Sequence, residues 1–369
     1  MRNGTTFVGL DAHAQTIQVS MLTSGAARAV EWTVSNDAAS IRRLAKKLRE
    51  RAPAGLECCY EAGPTGYALQ RQLLEARVPC TVIAPSLIPV KPGERIKTDR
   101  RDARKLAELL RAGLLTAVRP PTAAEEAVRD LCRCREDAKE DLLRSRHRMS
   151  KFLLRRGLRW SQGKRAWTHA HRAWMKGLRF EHGADQSIFD DYLLALEQLE
   201  ERCKRLDDKL EAVAQSEPYR EQVGWLCCLR GVKTVTAITL LSELHGFERF
   251  ESPRQLMAYL GLVPSEHSSG ERQARGAITK TGNSHVRRIL IEAAWHYRHR
   301  PAVSPHLRQR RKGQPGWILS LADKAQARLH QRHAKLSARG KQRNKVVVAV
   351  ARELVGFVWA MLRPKAAAA

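Results

Sequence analysis

The sequence has eight cysteines, Cys58, Cys59, Cys80, Cys132, Cys134, Cys203, Cys227 and Cys228, but no CxxC pair and no spacing with histidine that suggests zinc. They read as reduced, mostly buried thiols of a cytoplasmic protein. Long apolar runs are missing as well. Arg352 and Glu353 interrupt the best candidate, so no stretch reaches the roughly 18 residues of a membrane span. The N-terminus shows no signal-peptide core. Neither GxGxxG nor GxxxxGKS/T occurs, which removes the usual phosphate loops of a small nucleotide-binding domain. Acid is scarce over long distances: Arg144 to Arg179 holds 12 Lys plus Arg and no acid, and residues 271–349 hold 19 Lys plus Arg against 3 acids. Over all 369 residues, 66 Lys plus Arg face 38 Asp plus Glu, a formal net charge of +28. A chain this basic needs a polyanionic partner. Its length allows two or three domains with cores of their own.

Within residues 1–115, apolar runs at Phe7–Leu10, Ile17–Leu22 and Ala29–Val34 predict three meandering strands. A helical period over Ala38–Leu48, a strand at Leu56–Tyr60, a helix at Gly66–Leu74 and a strand at Pro79–Ala84 follow. This α/β order is that of a ribonuclease-H-like fold. Two acids stand at strand ends, Asp11 after the first and Glu61 after the fourth, the latter leading into the turn Gly63-Pro64-Thr65-Gly66. Two more, Asp99 and Asp102, open a segment periodic in Leu106, Leu109 and Leu110, and their spacing puts both on one face of a helix start. Four carboxylates converging in this way suit Mg²⁺ or Mn²⁺, hard ions that prefer oxygen. Two such ions can stabilise both the attacking and the leaving oxygen of a phosphodiester. Taken alone, the pair has a plainer reading, with Asp99 as a helix N-cap and Asp102 complementing the helix dipole. Asp11 and Glu61 turn the balance toward the metal.

Residues 120–218 read as helical. Thr122 and Glu125 have capping-box spacing, and the period runs on through Val128, Leu131, Cys134 and Leu142. Trp160, Trp167 and Trp174 recur seven apart, although Gly163 and Gly177 interrupt any continuous helix. A core or an oligomer seam is the heavier reading, and a base-stacking platform the lighter. The uncompensated cations around them, Arg155 and Arg156 included, would repel one another without phosphates nearby. Ile188, Tyr192, Leu196, Leu199, Cys203, Leu206, Leu210 and Val213 then alternate threes and fours, a coiled-coil seam of about four heptads. Its partner is either the 122–156 helix of the same chain or a second protomer.

In residues 219–369, Leu229–Ala237 has the shape of a helix-hairpin-helix turn, with Gly231 at the turn and Lys233 before the next helix, offering amides to a DNA phosphate. Ser268-Ser269-Gly270 precedes the cationic stretch Arg275–Asn283 and the pair Arg287-Arg288. A serine in a glycine-flanked loop, followed by Arg and Lys, is where a hydroxyl nucleophile could meet a phosphate held by cations. Ser-Gly pairs are also ordinary turns.

Gly9-Leu10-Asp11, Glu61-Ala62-Gly63-Pro64-Thr65-Gly66, Lys97-Thr98-Asp99-Arg100-Arg101-Asp102-Ala103, Gly261-Leu262-Val263-Pro264, Ser269-Gly270 and Lys280-Thr281-Gly282-Asn283 together resemble the motifs of the DEDD transposases of the IS110 insertion-sequence family, over nearly the whole chain. The resemblance implies a RuvC-like domain over 1–115 whose Asp11, Glu61, Asp99 and Asp102 hold Mg²⁺ or Mn²⁺. It further implies a helical coiled-coil middle over 120–218 and a mainly α transposase domain over 219–369 whose Ser269 links covalently to DNA. An RNA-guided recombinase of the bacterial cytoplasm, nucleoid-associated when active, is implied as well, taking donor and target DNA as a homodimer or homotetramer. Sequence choice would then fall to base pairing with the guide RNA. Arg275 and Lys280 are the expected phosphate contacts, and Arg287 and Arg288 the expected backbone contacts. Ser268 and Ser265 stand close enough to contest the nucleophile's place. The alternative is a metal-dependent nuclease on branched DNA, with water attacking and Ser269 merely structural.

Overall fold

The computed structural model describes residues 4–90, 93, 98–163, 165–266, 269 and 274–363, the Arg275 side chain excepted; Lys97, Ser268 and Gly270 of the motifs lie outside the described residues. The chain divides into two compact units, Met1–Pro121 and Thr122–Ala369. The helical middle expected over 120–218 lies in the second unit, together with 219–369.

The first unit runs β1 (Thr6–Ala12), β2 (Thr16–Leu22), β3 (Val30–Ser35), α1 (Ala38–Arg51), β4 (Leu56–Glu61), α2 (Ala68–Glu75), β5 (Cys80–Ile83), α3 (Asp99–Arg111) and β6 (Ala117–Val118). One sheet has the order β3-β2-β1-β4-β5-β6. β1, β2 and β3 pair antiparallel, β4 and β5 join parallel, and β6 closes antiparallel. This is a mixed α/β unit compatible with the ribonuclease-H-like expectation. The sequence reading missed the two-residue β6, which is too short to show a period. Alternation along the strands sorts the two faces. Val8, Leu10, Cys58 and Tyr60 form a core with Ile41, Leu44 and Leu48 of α1 and Leu69 and Leu73 of α2. Cys59 and Ile83 point the other way and meet Leu106 of α3. Asp11 and Glu61, in step with Gly9 and Cys59, therefore belong to the face that α3 covers.

The second unit begins with α4 (Ala123–Arg155), α5 (His169–Lys176) and α6 (Gly183–Ala214). Thr122 caps α4 in a capping box with Glu125, as the spacing predicts. α4 and α6 lie antiparallel, tied by Arg135 to Asp207, Arg146 to Glu200 and Arg156 to Asp185. The buried seam of α6 is Phe189, Leu196, Cys203 and Leu210, seven apart, with Ala138, Leu142, Met149 and Phe152 of α4 among its partners. Ile188 is exposed. The seam starts one residue later than its period suggested because Phe189 joins the rings of Phe152 and Phe180. Three tryptophans surround one buried histidine: Trp160, Trp167 and Trp174 lie 5.4, 5.2 and 5.4 Å from His171, ring centre to ring centre. All three are partly buried, and Trp167 and Trp174 pack against the α4–α6 core, the heavier of the two readings. The cations of 144–179 are not uncompensated either, since the acids of α6 reach back to Arg146, Arg156, Arg172 and Lys176.

Next come α7 (Arg220–Leu226), α8 (Thr234–Leu244), α9 (Pro253–Tyr259), the ribbon β7 (Pro264–Glu266) and β8 (Arg275–Ile278), then α10 (Ser284–Ala294), α11 (Pro305–Arg311), α12 (Gly316–Ala338) and α13 (Arg343–Leu362). Their core is continuous, with Ile238, Leu240, Leu290, Leu329 and Leu354 fully enclosed. All eight cysteines are free, and all but Cys134 are buried. Among the described residues no helix is long and apolar enough to cross a membrane.

Candidate active site

α3 carries two of the four expected acids, and the side chains at its start fix its place. Thr98 is the N-cap, its hydroxyl accepting the Arg101 N–H at 3.3 Å. Asp99 is therefore the first helical residue, and the reading of Asp99 as the cap is set aside. Arg100 and Arg104 both donate to Glu31 on β3, whose side chain is only 3% exposed. The Arg104 hydrogen bond, with help from Arg100, holds the Glu31 carboxyl below the ordinary carboxylate range.

One residue beyond the Leu10–Tyr60 pair, Glu61 ends β4 and Asp11 is the last residue but one of its parallel neighbour β1. Both line a cleft of about 530 Å³ together with His13, Asn36 and the Gly63–Thr65 turn. His13 Nε2 lies 3.2 Å from Asp11 Oδ2 and 3.4 Å from Asp99 Oδ2. One ligand atom each from Asp11, His13 and Asp99 fit within 4.8 Å of one another. Burial raises the Asp11 carboxyl above its ordinary value; His13 opposes this, while the charges of Asp99 and Asp102 push it further up. Glu61 shares the cleft and Asp102 adds charge near Asp11, but neither is among the three residues whose ligand atoms meet within 4.8 Å. Two carboxylates and an imidazole whose ligand atoms lie this close together fit a divalent cation. His13 was not singled out from the sequence. Its signal was there, two residues after Asp11 and hence on the same side of an extended chain.

In the second unit Ser269 is exposed, on the segment joining β7 to β8. Ser265 is part of the ribbon, its hydroxyl donating to Ala277 O at 3.2 Å. After β8 comes a tight loop with exposed Lys280. Its Gly282, at φ +66°, passes so close to Tyr259 O that a Cβ would stand 1.8 Å away. Arg287 donates to Leu260 O at 3.0 Å and Thr281 O at 2.8 Å. Arg288 binds Glu136 and Glu292. These two arginines, expected on nucleic acid, hold the loop and α10 in place, and Arg288 remains exposed. Asn283 caps α10 and also donates to Glu243 at 2.7 Å. Burial would raise the Glu243 carboxyl, but Arg133 and Asn283 overcome it and keep it below its ordinary value.

Residues 8–156 match the model of the IS110 DEDD transposase domain, and residues 225–309 match that of the transposase IS116/IS110/IS902 family. The chain is 42% identical over 362 residues to y4qE of Sinorhizobium fredii, covering 97% of this chain and 88% of that one. It is 37% identical over 341 residues to the transposase for insertion sequence element IS1533 of Leptospira borgpetersenii, 91% of this chain and 98% of that one. The chain belongs to the IS110/IS116/IS902 family of transposases. As such it is an enzyme that acts on DNA, cleaving and rejoining strands, and its DEDD domain uses a divalent metal.

The transposase presents cations to solvent on several elements. Arg148, Lys151 and Arg155 form an exposed stripe on α4. Arg156 does not join them, because it is paired with Asp185 and stacked 3.7 Å over the Phe152 ring. Gly231, at φ +84°, turns the chain between α7 and α8 so closely that a Cβ would lie 2.5 Å from Ala293 O. Lys233 is exposed at the start of α8, where no side chain caps the first N–H groups.

Proposed function

We propose that this transposase cuts and rejoins the strands of its insertion sequence through a covalent phosphoserine bond on Ser269, with target choice delegated to base pairing with a structured noncoding RNA. Asp11, Glu61, Asp99 and Asp102 hold Mg²⁺ or Mn²⁺ in this reading, and the observation that carries it is the meeting of the Asp11 and Asp99 ligand atoms, with that of His13, within 4.8 Å of one another beside the cleft that Asp11 shares with Glu61. When bound, the ions supply charge neutralisation at the phosphate and at the departing oxygen. Ser269 Oγ bonds to phosphorus, the bond from phosphorus to one sugar oxygen breaks, and that oxygen takes a proton. A hydroxyl of the second strand then attacks the phosphoserine, which restores a diester and returns the serine hydroxyl. Each bond made matches one broken, so rejoining needs no outside energy. Exposed Lys280, with Arg275, neutralises phosphate near the serine. Arg155, Lys233 and the amides after Gly231 hold nucleic-acid backbone without reading bases. Arg287 and Arg288 act by positioning the loop. The working form is a homodimer or homotetramer.

The test uses labelled target DNA, guide RNA and Mg²⁺ with the full chain, followed by denaturation. Label should stay on the polypeptide and map to Ser269, and Ser269→Ala should lose adduct and recombinant together. Free DNA ends with no bound label would instead give the water-using branched-DNA nuclease. An adduct on Ser268 or Ser265 would keep the chemistry and move the residue.

A further inference from the structure

His13 follows β1 by one residue, and its main chain is fixed on both sides. Its N–H donates to Thr16 O at 2.8 Å, and Asn36 Nδ2 donates to His13 O at 2.6 Å. The ring is thereby aimed at two carboxylates that come from different elements, Asp11 on β1 and Asp99 on α3, at 3.2 and 3.4 Å. Ligands about 2.1 Å from an octahedral ion stand about 3 Å from each other, so these separations suit neighbouring ligands on one ion as well as the hydrogen bond that His13 Nε2 and Asp11 Oδ2 share. The His13 side chain is 49% exposed, so it can exchange water for a metal without a large burial cost.

We infer that His13 is a nitrogen ligand of the metal centre beside Asp11 and Asp99, and that it biases the centre toward Mn²⁺ over Mg²⁺. The inference rests on the reading of Asp11 and Asp99 as metal ligands. Its chemical basis is that Mg²⁺ keeps to oxygen and dehydrates reluctantly, whereas the first-row divalent ions, of which Mn²⁺ is the first, accept an imidazole nitrogen beside carboxylates.

The test titrates the full chain with Mn²⁺ alone and reads bound ion by electron paramagnetic resonance, with pulsed detection of ¹⁴N coupling. Wild type should show nitrogen coupling, and His13→Ala and His13→Gln should both lose it while still binding the ion. Loss of the imidazole should weaken Mn²⁺ binding by about tenfold or more, against about twofold or less for Mg²⁺ measured by competition. Bound Mn²⁺ without nitrogen coupling, or coupling that survives in His13→Ala, overturns the inference; release of that same ion by Asp11→Asn then leaves the carboxylate site standing. Mn²⁺ binding undiminished by Asp11→Asn overturns both.

Discussion

Gly9 of β1 and Ala103 of α3 meet backbone to backbone: a Cβ on Gly9 would stand 2.0 Å from the Ala103 carbonyl oxygen and 2.6 Å from the Ala107 nitrogen. No side chain at position 9 is compatible with this approach, and the approach brings the Asp99 turn to Asp11. The Gly9-Leu10-Asp11 motif therefore joins a helix-docking residue to a candidate ligand on the same strand face. Gly9→Ala should cost about 1–3 kcal/mol of stability through overpacking. It should also weaken Mn²⁺ binding, although residue 9 touches no ion. Urea unfolding and a metal titration check both halves, and wild-type metal affinity in Gly9→Ala would show that α3 can retreat without moving Asp99.

Glu31 supplies the second hold on α3, and its sign with pH is fixed. Its folded pKa lies below the ordinary 4.5, so its contribution is present above that value and is lost as pH falls through the folded one. Glu31→Gln should destabilise the protein at pH 7 by about 1 kcal/mol, the figure being small because Arg100 and Arg104 are well exposed and screened. The gap between wild type and variant should close as pH falls below the ordinary carboxylate range. Thermal melts across that range would show it, and a gap that stays constant would mean that the carboxylate charge does not matter.

The strand–helix order and all four acids could be read from the sequence because alternation and spacing are local. What decided their meeting was not local. Gly9 reads as one more small residue in an apolar run, and Glu31 as one more surface acid, until α3 is laid on the sheet. His13 needed the same step. In the second unit, the period of α6 showed a seam but not its owner, which α4 settles through Arg135, Arg146 and Arg156. A count of charge along 144–179 could not see acids that come from 21 to 54 residues away along the chain, and so it overstated how bare those cations are.

The α4–α6 pairing leads to an expectation opposite to that of a seam between protomers. Leu196→Ala removes a buried side chain from within one chain, so it should cost about 2–5 kcal/mol in unfolding experiments. Sedimentation at concentrations where the fold survives should show the same assembly mass as wild type. A smaller species with unchanged unfolding stability would reverse this and give the seam to a second protomer.

Arg155 and Arg156 are neighbours in sequence and opposites in role. Arg155 is exposed in line with Lys151 and Arg148, whereas Arg156 is bound to Asp185 and lies over Phe152. Phosphate contacts release counterions, so log affinity falls with log salt by about 0.9 for each phosphate neutralised on duplex DNA. Arg155→Glu should therefore flatten the salt slope by about one such unit and leave the melting temperature nearly unchanged. Arg156→Glu would set two carboxylates against each other between α4 and α6, so it should lower the melting temperature by several degrees with a smaller change in slope. Both numbers come from one pair of experiments, nucleic-acid titrations at several salt concentrations and a melt for each variant. If the two variants change the slope equally and melt alike, the Asp185 pair does not hold Arg156 away from nucleic acid, and the basic stripe on α4 must be widened to include it.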